Sequence, residues 1–130
     1  MMPGTHEDRK SSIDPAAIAS LEELQEEGAP DFVADLIDSY LDEAPGRLSV
    51  IEAGIGSCDM IKVARACHIL KGSSSNLGAE RLSALCKDLE IKAATDQYKA
   101  LPGACTKLIE EFANVRRELG NILARRPGHG

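Results

Sequence analysis

The sequence predicts an all-α protein: an up-and-down four-helix bundle with one or two additional short helices. Three observations carry this. Almost every apolar residue recurs at a spacing of three or four, and no segment alternates as a strand. The intervals between amphipathic stretches are short and hold Pro, Gly, Asp or Asn, so successive helices lie antiparallel beside one another. Aromatic residues are scarce, with two Phe, two Tyr and no Trp, so the core that the helices share is aliphatic.

The first helix follows Asp14, an N-cap, with Pro15 at its first turn and Gly28 as its stop. Its apolar positions are Ile18, Leu21 and Leu24. The second opens at Pro30 and places Val33, Leu36, Ile37, Tyr40 and Leu41 on one face. Pro45 is expected to break or bend it, because proline lacks the amide that the ladder needs. A further segment then carries Leu48, Ile51 and Ile55 as far as two glycines. Asp59 can cap the next helix, which runs through His68 to a turn at "NLG". Another helix repeats Leu82, Leu85, Cys86 and Leu89. The last extends to about Ala124 with Leu101, Cys105, Leu108, Phe112, Val115, Leu119 and Ile122 on one stripe.

A chain of 130 residues fits one domain, expected over residues 13–124, with flexible tails at 1–12 and 125–130. Hydrophobic residues at 43% and charged residues at 28% suit a soluble globule. A net charge of −6, with no basic tract interleaved with aromatics, argues against nucleic-acid binding. No apolar run approaches a membrane span. Cys58, Cys67, Cys86 and Cys105 form no CxxC pair and are expected to be reduced thiols in a cytoplasmic protein. His6, His68 and His129 lie too far apart for a metal motif, so no metal site is expected.

The stretch "HILKGSSSN", residues 68–76, is unusual. Gly72 and three serines are poor helix formers directly beside a histidine and a lysine. At about 100° per residue, Val63, Cys67, Leu70, Ser74 and Leu77 form the inward stripe, and His68 lies roughly 140° from its centre. The ring is therefore expected to face solvent. Gly72, one turn on, leaves bare backbone beside it, and Ala64, one turn before, is small. Lys71 can bring its ammonium above the ring. Ser73 and Ser74 lean toward the bundle, where their hydroxyls are expected to bond carbonyls a turn earlier. An exposed imidazole on a flat surface of small residues, with one cation nearby, suits docking and transfer of an anionic group.

The run "ACHILKGSSSNLGAERLSALCKDLE" strongly resembles the histidine-containing phosphotransfer (HPt) domain of multistep two-component phosphorelays. The residues that carry the resemblance are His68, Leu70, Lys71, Gly72, Ser73, Ser74, Gly78, Ala79, Leu82, Cys86, Leu89 and Glu90. It covers roughly residues 13–124. It implies a four-helix bundle with one or two added helices, and a phosphoryl group carried on Nε2 of His68. That group would come from an aspartyl phosphate on a response-regulator receiver domain and pass to another receiver. By the same resemblance Lys71 would offset the phosphoryl charge and Gly72 would admit the receiver's loops. The receiver, with its Asp and Mg²⁺, would supply most of the catalysis. The chain itself would then be a carrier without a cofactor, a monomer working with receivers and a hybrid histidine kinase. An imidazole with the ordinary pKa near ~6.5 is mostly neutral at pH 7 and needs no catalytic base.

Ungapped comparison puts Glu43 where some members have Gln near the phosphoryl group. Glu43 either bonds the other ring nitrogen and sets the tautomer, or is a solvated glutamate. Ile18 and Leu21, with Ala64 and Ser75, are candidates for the docking rim, although the two apolar residues equally suit core packing. No nucleotide motif allows a kinase, and "KGSSS" has the wrong order for a P-loop. No nucleophile elbow supports a hydrolase. The alternative from another class is a non-phosphorylated helical module that binds and regulates a receiver or kinase.

Overall fold

The computed structural model describes residues 11–126. Five helices occur in it: α1 (Pro15–Glu22), α2 (Phe32–Gly56), α3 (Met60–Asn76), α4 (Glu80–Ala94) and α5 (Leu101–Ala124). A single 3₁₀ turn, Tyr98–Ala100, leads into α5. Helices α2 to α5 form the bundle, with α3 packed most heavily on α4, and short α1 joins it beside α2.

Aspartates start the first three helices. The carboxylates of Asp14, Asp31 and Asp59 accept from the amides of Ala16, Ala34 and Lys62, satisfying donors that a helix start leaves free. The core is aliphatic apart from Phe112 and Tyr40, whose rings pack against each other. Leu70, Leu82, Leu89, Leu108 and Leu119 are fully buried within it.

The structure departs from expectation at several places. Pro45 does not break the second helix, which is continuous from Phe32 to Gly56. Val33, Ile37, Tyr40, Ala44, Leu48 and Ile51 form one buried stripe running through the proline. Burying each large apolar side chain is worth roughly 1.5–3 kcal/mol, which together exceeds the ~3 kcal/mol a mid-helix proline costs. The first helix ends at Glu22, so Leu24 falls beyond it and is exposed, and Leu36 remains 42% exposed.

The tail boundaries also move. Ser12 is buried, and Glu118 of α5 accepts from the amides of Ser12 and Ile13 at 2.8 and 3.0 Å. Arg126 sets its guanidinium on Asp31 and Glu22. Its hydrogen bond to Asp31, against a smaller cost of burial, holds that carboxyl below its usual range. Residues 11–12 and 125–126 therefore belong to the folded unit, while 1–10 and 127–130, with His6 and His129, lie outside the described residues. Cys67, Cys86 and Cys105 are buried and only Cys58 is exposed. Burial pushes the Cys67 and Cys86 thiols up to about 12. Among the described residues no helix is long and apolar enough to cross a membrane.

Candidate functional site

Helix α3 presents the site because its inner face is taken up by the core. Val63, Cys67, Leu70 and Ser74 are fully buried. That leaves the His68 side chain on the outer wall, 68% exposed. The poor helix formers are supported from outside the helix. Ser74 Oγ lies 2.8 Å from the Tyr40 hydroxyl, both buried, rather than on a carbonyl a turn earlier. Ser73 Oγ does donate to Leu70 O at 3.2 Å, as expected. From α4, Ser83 donates to the Lys71 carbonyl at 3.1 Å. These bonds hold α3 helical as far as Asn76 despite its composition.

Ala64, Gly72 and Ser75 point within about 40° of His68 on the helix. Gly72 is exposed, Ala64 and Ser75 partly so. A Cβ built on Gly72 would meet nothing within 4 Å. Among the described residues no packing contact therefore requires glycine there.

Sequence reasoning placed Glu90 in the motif but gave it no role. In the structure it organises the site from α4. Its Oε2 lies 3.3 Å from His68 Nδ1 and its Oε1 3.0 Å from Lys71 Nζ. Burial raises the Glu90 pKa, but the Lys71 hydrogen bond and charge, then His68, outweigh it and bring the carboxyl below its usual value. The carboxylate is thus held ionised between an ammonium and a ring. Lys71 is anchored at Glu90 rather than free above the imidazole. With Nδ1 facing Glu90, Nε2 lies at the far edge of the ring, which is where a reacting group can approach.

Glu43 does not hold the ring: it is exposed on α2 and forms no hydrogen bond or ion pair among the described residues. Ile18 is buried, as the core-packing alternative expects. Leu21 is partly buried and packs against the same core. The signal that could have found Glu90 is the pairing register of α3 with α4, which spacing along either helix alone does not contain. Among the described residues no cluster of His, Cys, Asp or Glu could hold a metal ion.

The sequence profile of the Hpt domain matches residues 35–118. The chain belongs to the HPt family. Among curated proteins, it is 35% identical to histidine-containing phosphotransfer protein 2 of Arabidopsis thaliana, over 78% of this chain and 67% of that one. Among solved structures, histidine-containing phosphotransfer protein B of Pseudomonas aeruginosa superposes with a TM-score of 0.81 at 29% identity, covering 88% of this chain and 96% of that one. The maize phosphotransfer protein ZmHP2, at 23% identity and a TM-score of 0.78, covering 92% and 93%, shares the fold. HPt proteins carry phosphoryl groups on a histidine within phosphorelays, and they work with receiver domains and histidine kinases. In this HPt chain, His68 is the exposed histidine of the bundle, and it lies inside the matched segment.

Proposed function

We propose that this HPt chain accepts a phosphoryl group on Nε2 of His68 from an aspartyl phosphate of one receiver domain and hands it to a second receiver. The observation that carries this is the ring's orientation. Nδ1 lies 3.3 Å from the Glu90 carboxylate, so Nε2, at the opposite edge of a ring that is 68% exposed, is the nitrogen left to a partner. The Glu90 carboxylate, 3.3 Å from Nδ1, favours the proton on that nitrogen, which leaves the lone pair on Nε2. As that lone pair forms the N–P bond, the P–O bond to the aspartate breaks and the carboxylate departs with its electrons. The imidazolium charge that develops is opposed by Glu90. Lys71, one bond away through the same carboxylate, is placed to turn toward the phosphoryl oxygens. The surface is open, so this contact alone contributes less than ~1 kcal/mol before docking.

Among the described residues Lys71 is the cation beside the ring, and its charge is shared with Glu90, so one exposed ammonium gives little of the stabilisation that a metaphosphate-like transition state needs. Positioning and charge stabilisation, with Mg²⁺, therefore come from the receiver, and the chain is a carrier rather than an enzyme. It holds no cofactor of its own in this reading. A hybrid histidine kinase supplies the first receiver, and the chain acts as a cytoplasmic monomer. The test is label transfer from a panel of acetyl-phosphate-charged receivers. Acid-labile, base-stable label on the chain supports the proposal. A chain that binds receivers tightly but takes no label from any of them is the non-phosphorylated regulator instead.

Two variants check the geometry. Glu90→Ala is expected to shift the neutral His68 ring toward the Nε2–H tautomer, read by imidazole ¹⁵N shifts. Transfer should slow about fivefold, the equivalent of ~1 kcal/mol. Unchanged ring shifts would show that Glu90 does not set the tautomer. Gly72→Gln is expected to stabilise α3 by up to ~1 kcal/mol, since Gln is the better helix former. It should nevertheless slow transfer from a receiver on the order of tenfold, by covering the approach to the ring. A more stable protein with wild-type transfer kinetics would remove the steric role of Gly72.

A further inference from the structure

Beside His68, between α2 and α3, runs a groove whose character is opposite to that of the chain as a whole. Arg47, Lys62 and Arg65 line it together with Val50, Ile61 and Ile69. None of the three cations forms an ion pair or a side-chain hydrogen bond among the described residues. Lys71, Arg81, Lys92 and Arg126 all do. The one carboxylate lining the groove, Asp59, caps α3 through the Lys62 amide. The net charge is −6, so an unpaired basic cluster on this chain is a local reversal of sign. Ile61 and Ile69 are 68% and 48% exposed, large apolar areas to leave in water.

The groove is continuous with the His68 surface. Ile61 lies two turns before His68 and about 20° from it around the helix, and Arg65 lies one turn before, about 60° away. Ile61 and Arg65 therefore lie within one or two turns of the atom that a partner must reach.

We infer that this groove selects the receiver: its partner is a receiver domain that carries, beside its phosphorylation site, an apolar patch rimmed by carboxylates. The inference rests on the phosphotransfer reading above and deepens it. Ile61, Ile69 and Val50 supply the desolvated centre, and the three cations steer the encounter and reject receivers whose patch is basic. The rim toward α2 and α3 thus takes the place that Ile18 and Leu21 of α1 were expected to fill.

The probe is a receiver from the charged panel that labels the wild-type chain. The triple variant R47E/K62E/R65E is compared with K99E/K107E/R117E, which has the same net charge but alters exposed positions on the 3₁₀ turn and α5. Label transfer is measured at low and high salt, and labelling of His68 by phosphoramidate, a small donor that needs no docking, is measured in parallel. The groove variant is expected to lose at least thirtyfold in receiver transfer at low salt, with a flattened salt dependence. Phosphoramidate labelling and the thermal melt should stay at wild type, as should receiver transfer to the control variant. Ile61→Ser should lose about tenfold on its own. Three results overturn the inference alone: wild-type transfer to the groove variant, an equal loss in the control variant, or a wild-type dimer in sedimentation that the groove variant dissociates. The last would make a second copy of this chain the occupant. Failure of every receiver to label the wild-type chain overturns the phosphotransfer reading and the inference together.

Discussion

A His68→Gln protein is expected to fold, to bind receivers, and to take no acid-labile label, a loss of more than about a thousandfold in transfer. The side chain is 68% exposed and contributes nothing to the core, so its replacement leaves the bundle's packing intact. Surface substitutions away from special features usually change stability by less than about 0.5 kcal/mol. The amide of Gln can still meet Glu90, so Lys71 and Glu90 keep their places. What disappears is the nucleophilic lone pair, because an amide nitrogen is not basic and the amide oxygen forms no stable phosphoryl adduct. The measurement is receiver-dependent label alongside receiver affinity. Labelling of His68→Gln at the wild-type rate would place the acceptor elsewhere in the chain. Loss of both label and receiver binding, with the fold intact, would assign the imidazole to docking as well.

Gly78→Ala is expected to lower stability by about 2–4 kcal/mol, or roughly 10 °C in the melting temperature for a domain of this size. Gly78 lies in the turn from α3 to α4 with φ +82°, a conformation that costs an L-residue about 1 kcal/mol or more. A Cβ there would lie 2.7 Å from the Ala17 Cβ and 2.9 Å from the Asp14 carbonyl oxygen. Backbone on that side cannot move without shifting the start of α1. The shift also threatens the 2.9 Å bond from the Asp14 amide to the Gly78 carbonyl, which ties α1 to the turn. The readouts are a thermal melt and amide exchange in α1. A melt within 2 °C of wild type would show that α1 yields freely. Gly78→Ala should still label at a temperature where it is folded. The two glycines of the motif thus act differently: Gly78 makes a close internal approach, while Gly72 faces open space and matters only when a partner arrives.

Much of this was legible in the chain. Apolar spacing gave the helices, Asp14 and Asp59 marked two of their starts, and the 140° offset of His68 from the buried stripe put the ring outside. The motif itself named the family. Legibility failed where the deciding contact joins residues distant in sequence. Pro45 carries a local penalty that a single buried stripe on both sides of it outweighs. Ser74 meets Tyr40 across 34 positions, and Ser12 and Ile13 meet Glu118 across more than a hundred. Ile18 and Leu21 were ambiguous because an apolar residue on a short helix serves a core or a rim equally well until its neighbours are known.

The amino-acid sequence alone determined an all-α bundle with one histidine on an outer wall and a glycine beside it, because helix periodicity is a local property that assigns each residue a direction. Only the tertiary structure decided which carboxylate holds that ring. Glu90 and Glu43 are both acidic residues on helices near α3. The lateral packing of α3 on α4, set by the fit of buried side chains between them, brings Glu90 to 3.3 Å from Nδ1, while Glu43 stays in solvent on α2.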